Sequence, residues 1–179
     1  MIEKIYLLRH SYEQQNDGFV FLQVKGLGIF ASKEEAESAI EYFKTLQGFK
    51  NYPEGFQNTE YKVDEHHIKD DIVLPDGVTN IKGYMDDSEN AEGADDYPVF
   101  LLQHYIEYND KDGIYCEETR NLGIYSTWDK GMQAKAHYKS MKGFNSLPDD
   151  CFYLEGRVLN RKGWTEGFVT VDDDDPAGE

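Results

Sequence analysis

The stretch "IYLLRHSYE" (Ile5–Glu13) returns as "VFLLQHYIE" (Val99–Glu107), and that return decides the fold. Two more stretches recur in the same order. "KGLGIFAS" (Lys25–Ser32) comes back as "RNLGIYST" (Arg120–Thr127), and "LQGFKNYPEGF" (Leu46–Phe56) as "MKGFNSLPDDCF" (Met141–Phe152). The offset grows from 94 to 95 to 96 residues, as single-residue slips in loops would make it. The chain therefore reads as a tandem duplication of a unit of roughly 65–75 residues, the kind of repeat that must be found before any element is assigned.

Each copy has the same signals. On Ile5–Tyr12, the even positions Tyr6, Leu8, His10 and Tyr12 share one face of a strand, matched by Phe100, Leu102, His104 and Ile106. A turn around Asn16–Gly18, or Asn109–Gly113, leads into a second strand, Phe19–Phe30 or Ile114–Tyr125. Gly28 and Gly123 near its end mark a bulge or a close backbone approach. Ser32 with Glu35, and Ser126 with Asp129, have capping-box spacing and predict two helix starts. Gly48 and Gly143 suit the left-handed position after a helix. Third strands start at Phe56 and Phe152. The predicted class is α+β: two tandem strand–strand–helix–strand repeats, each a helix packed on a small antiparallel sheet.

The repeats occupy residues 1–63 and 98–171. Between them, 64–97 reads as an acidic linker in which "DIVLPDGVTNIKGYM" is able to form a short hairpin, and 172–179 as a disordered acidic tail. The net charge of −17 is concentrated there: −9 in the linker and −5 in the tail. The near-neutral remainder has no basic stripe to displace counterions from phosphates, so nucleic-acid binding is not expected. An acidic run attracts a basic partner or serves as a solubilising spacer.

No apolar run reaches the length of a membrane span, and the N-terminus has no signal-peptide pattern, so the expected location is cytoplasmic with no membrane partner. Cys116 and Cys151 stand in no metal-ligand spacing and read as reduced thiols. No metal and no cofactor are expected.

Both copies keep a His-x-x-Glu: His10 with Glu13 and His104 with Glu107. Three positions along a strand point to opposite faces, so the spacing makes no acid–base pair by itself. The histidines read as ring-packed core residues, or as ligand or partner contacts. The opening strand, Ile5–Asn16, also resembles that of the histidine-phosphatase superfamily, which would make His10 a phosphoryl-accepting nucleophile. Against that, Arg9 becomes Gln103 in the other copy, the expected glycine is Ser11 or Tyr105, and the βαβ alternation is absent.

A second resemblance covers both copies. Leu7–Glu13 (LLxHSYE), Leu27–Ile40 (LGIFxSxEEAExAI), Gly48–Phe56 (GFxxYPxGF) and Trp164–Phe168 (WTEGF) are similar to the motifs of a family of small bacterial proteins of unknown function. The closing element stands in the second copy as "GWTEGFVTV", where the first has "HIKDDIVL". The resemblance implies a fold plan more than a function. The expected function is non-catalytic protein binding, as an immunity-type inhibitor of a basic bacterial toxin. The alternatives are a phosphohistidine-type phosphatase using His10 and a ligand-sensing tandem module. The candidate binding residues are His10, Tyr12, Glu13, His104, Glu107, Trp164 and Glu166, together with a surplus of tyrosine of the kind that interface cores favour.

Overall fold

A computed structural model describes residues 2–16, 19–83 and 97–169. The chain divides into two compact units, one of Met1–Glu60 with Leu159–Glu179, the other of Tyr61–Val158. The fold is mixed α+β.

In the first unit, strands β1 (Lys4–Asn16) and β2 (Phe19–Phe30) form an antiparallel hairpin, and β3 (Phe56–Lys62) pairs on the other side of β1. The register slips between Leu8 and Arg9, where Gly28 on the facing strand has a φ of 150°. Helix α1 (Lys33–Phe43) starts at Ser32, whose hydroxyl accepts the Glu35 N–H at 3.2 Å while also donating to the Glu35 carboxylate. The spacing of Ala36, Ala39 and Phe43 puts them on one helix face. That face closes on Leu8, Tyr12, Leu27, Phe30 and Phe49 from the sheet and the following turn.

The second unit repeats the order with β5 (Val99–Asn109), β6 (Tyr115–Tyr125), α2 (Trp128–Ser140) and β7 (Phe152–Arg157), and adds β4 (Thr79–Lys82). Strand β5 is central: β6 lies on one side, and β4 and β7 pair with its two ends. The core holds Phe100, Leu102, Ile106, Leu122, Tyr125, Ala134, Tyr138, Phe144, Phe152 and Leu154. Gly48 and Gly143 have φ of 84° and 89°, turning the chain so that Phe49 and Phe144 are buried.

Four expectations need correction. Helix α2 starts at Thr127, not Ser126: the Thr127 hydroxyl accepts the Lys130 N–H, and Ser126 is bonded to Asp64 instead. Thr127 is also the true counterpart of Ser32 at the 95-residue offset. Residues 71–82 hold no hairpin, since β4 pairs with β5 and no strand precedes it. The linker expected at 64–97 is packed in the second unit as far as Gly83, and Leu159–Phe168, expected to close the second repeat, belongs to the first unit. The acidic run 84–96 and the tail 172–179 lie outside the described residues.

Each unit is closed by a segment remote in sequence from the strands and helix it covers. In the second unit, Asp64, His67 and Ile72 donate their N–H groups to the carbonyls of Ile124, Leu122 and Lys142. In the first, Asn160, Gly163 and Phe168 donate to Ile29, Leu27 and Gln47. Asp64 and Asn160 both take left-handed backbone, with φ of 65° and 61°, a conformation that Asx residues tolerate best among non-glycines. Their side-chain oxygens accept equivalent N–H groups, of Ser126 at 2.8 Å and Ala31 at 2.9 Å. We call these segments straps.

The second strap has a further anchor. Tyr138 is fully buried, and its hydroxyl donates to the Leu122 carbonyl at 2.6 Å while accepting the Ile68 N–H at 3.3 Å. Phe43 takes this place in the first unit. Tyr138→Phe should therefore fold normally but lose on the order of 1 kcal/mol, because the buried Leu122 carbonyl loses one of its two donors and the half-buried Ile68 N–H loses its acceptor. Urea unfolding would measure the loss, and an unchanged midpoint would show that the hydroxyl is idle.

Candidate functional site

His10 and His104 are both buried, on the faces that carry the cores. His10 packs edge-on against Phe49 and Phe56. Its Nε2 donates to the Tyr52 carbonyl at 2.8 Å, which fixes the tautomer, and Nδ1 is buried without a hydrogen bond. Burial lowers its pKa, the Tyr52 carbonyl resists this, and Lys25 adds to the lowering. His104 sits between Phe144 and Phe152 with neither nitrogen hydrogen-bonded. Burial and then the charge of Arg120 push its pKa down to about 4. Neither ring presents a nitrogen to solvent, where a phosphoryl donor would have to approach it.

The glutamates of the two His-x-x-Glu motifs point the other way, as the strand period requires. Glu107 accepts from Lys82 at 2.6 Å and from the Tyr105 hydroxyl at 3.1 Å. The bond to Lys82 holds its carboxyl below the usual range. Tyr115 beside it donates to Glu117 at 2.7 Å, and this bond pushes the phenol up to about 12. Glu13 is exposed on the outer face of β1, directly across from Leu22.

The first unit brings Tyr12, Lys25, Tyr52, Trp164 and Phe168 together. Tyr12 stacks between Tyr52 and Phe168, with ring centroids 4.6 and 5.0 Å away. The ammonium of Lys25, itself buried, lies 4.5 Å from the Phe168 ring centre, 4.6 Å from Trp164 and 5.2 Å from Tyr12. This is a cation held by ring faces, and burial lowers its pKa. Of the predicted residues, His10, Tyr12 and Trp164 are thereby gathered in one neighbourhood. Glu166 is exposed, and His104 with Glu107 belong to the other unit. At the corresponding positions the second unit has Ile106, Ile68, Ile72 and Arg120, an aliphatic seat with the arginine paired to Glu118. Lys25 escaped the sequence reading because two of its rings, Trp164 and Phe168, stand 139 and 143 residues away along the chain.

The sequence reading also missed the outer edge of the first sheet. Strand β2 is an edge strand. The strap covers it at Leu27 and Ile29, and no strand among the described residues pairs with Phe19–Val24 on that side. Val20, Leu22 and Val24 alternate along this open stretch and are 57%, 65% and 52% exposed. Across from them on β1 stand Gln15, Glu13 and Ser11. The same positions of β6 carry Tyr115, Glu117 and Thr119, the polar surface by which an edge is ordinarily kept from pairing. The alternation was visible in the sequence. Which face it would expose was not, because both faces of this hairpin carry apolar residues.

Residues 3–72 match the model of a domain of unknown function, DUF7336. No curated protein and no solved structure matches the chain. Among the described residues, no helix is long and apolar enough to cross a membrane. Both cysteines are free, Cys116 half-buried and Cys151 buried, where burial and then Asp150 raise the Cys151 thiol to about 11.

Proposed function

We propose that this chain is a non-catalytic, cytoplasmic protein-binding protein, a tandem duplication of the family's unit, acting as an immunity-type inhibitor of a basic bacterial toxin. The observation that carries the reading is the open β2 edge. A row of three exposed aliphatic side chains along an open strand edge is costly to leave in water and prone to unwanted pairing. Its second-copy counterpart is polar, so the fold does not require the row. The chemistry fits a partner that lays a strand or an apolar face against Val20, Leu22 and Val24, with Glu13 at the rim for a basic side chain. The net charge of −17 favours a basic partner and speeds its encounter.

The test has two stages. The wild-type chain would capture its partner from cells of the source organism, and the purified partner would be titrated by calorimetry against wild type and Leu22→Glu. Leu22 is exposed, so the variant should keep its melting temperature, while affinity falls about a hundredfold, near 2.7 kcal/mol, as loss of a central interface anchor does. Equal affinity for the two chains would remove the β2 edge from the interface. An acidic captured partner, or one whose activity is unaffected at equimolar inhibitor, would overturn the inhibitor reading.

A further inference from the structure

We infer that the strap and its groove form an exchangeable pair, so that the groove of the first unit is an interaction surface for the Leu159–Phe168 strap of a second copy of this chain. Three observations carry this. The first is the equivalence of the two straps. Donors Asp64, His67 and Ile72 correspond to Asn160, Gly163 and Phe168 at a constant offset of 96, and acceptors Leu27, Ile29 and Gln47 to Leu122, Ile124 and Lys142 at a constant 95. One groove design accepts a strap that arrives along two different chain routes.

The second observation is the route itself. The strap of the first unit is separated from β7, in the second unit, by Val158 alone, which is exposed and in no strand. Opening this one hinge frees Leu159–Phe168 without unravelling any strand. A short hinge feeding a complete docking element is the arrangement by which identical elements pass between protomers.

The third is the match to the family model, which runs from residue 3 to residue 72. It ends on Ile72, the last anchored residue of the strap that closes the second unit, so that strap falls within the matched sequence unit even though it does not close the repeat that precedes it. The unit and its closing segment are therefore separable by construction. In one chain the contact closes in cis because tethering supplies an effective concentration of about a millimolar or more. The wild-type chain is accordingly a monomer in dilute solution, and exchange appears when cis closure is blocked.

Two full-length variants test this. In Gly48→Val the groove is blocked, since a Cβ on Gly48 would lie 2.4 Å from the Phe168 carbonyl oxygen, while the strap is intact. In Asn160→Ala/Phe168→Asp the strap is disabled and the groove intact. Mixed at equal, roughly hundred-micromolar concentration, the two should form a one-to-one heterodimer in native mass spectrometry, although each alone is monomeric. Failure to form it would overturn the inference. A labelled peptide of residues 159–169 provides a second readout that does not depend on the folding of the groove-blocked variant. It should bind the strap-disabled chain saturably and raise its melting temperature, and should bind wild type at least tenfold more weakly, because there the groove is already filled. Absence of binding to the strap-disabled chain, with its second-unit resonances unchanged, would show that strap and groove associate only in cis and would likewise overturn it.

Discussion

Acidification from pH 7 to pH 4 should cost this protein about 3 kcal/mol of stability through His104 alone. The folded-state value of about 4 lies below the 6.5 of an unfolded histidine. As the pH falls, the unfolded chain takes up the proton first, so the unfolded state gains free energy that the folded state does not share. The stabilisation is complete above pH 6.5, declines between 6.5 and 4, and is gone below the folded value. A gap of this size, at about 1.4 kcal/mol per pKa unit, gives the figure above. His10 and His66 are lowered too, each chiefly by burial, and act in the same direction. Glu155, raised by burial, acts against them, and relief of carboxylate repulsion in so acidic a chain does the same.

A comparison with His104→Leu removes those shared contributions. Leucine fits among Phe144, Phe152 and the neighbouring sheet without a titrating group. Urea unfolding of both chains at pH 7, 5.5 and 4 should show the wild type losing about 3 kcal/mol more than the variant. Parallel pH profiles would mean that the ring already takes up its proton in the folded state, through a water or a shift of Arg120.

The contrast between these histidines and the straps shows what the sequence could reveal. The β1 and β5 alternation placed His10 and His104 on the core faces, and the separation of Glu13 and Glu107 onto outer faces followed from the same period. Gly48 and Gly143 were legible because their chemistry is local: a backbone angle that side chains avoid, right after a helix. The straps are the opposite case. "HIKDDIVL" has only scattered apolar residues and reads as linker, and what anchors it is a set of backbone N–H groups meeting carbonyls some sixty residues away. Backbone partners leave no mark in residue identity. The single-residue error at Ser126 has the same origin: either Ser126 or Thr127 can cap a helix, and the choice was made by Asp64, from a segment with no visible link to α2. The Lys25 ring box is partly legible in retrospect, since the rings of "WTEGF" needed a partner, but nothing local identified Lys25 as that partner.

Gly143→Ala should be the most damaging single methyl in the second unit, and the reason joins backbone strain to strap docking. The φ of 89° with ψ of −51° at this position is one that L-residues rarely adopt, costing on the order of 1–3 kcal/mol. The added carbon would also fall 2.1 Å from the Ile72 carbonyl oxygen and 2.7 Å from its side chain. A carbonyl in the main chain cannot rotate away as a side chain can, so the strap must lift. With it go the bond from Ile72 N–H to the Lys142 carbonyl and the packing of Ile68 and Ile72 on the core. Together these effects should exceed about 3 kcal/mol. Hydrogen exchange can localise the damage: the amides of His67 and Ile72 should lose protection while those of Asn160, Gly163 and Phe168 keep theirs, because the equivalent groove at Gly48 is untouched. If the two straps lost protection equally, each would depend on the other, and the groove contacts described for each unit would not be what holds its strap in place.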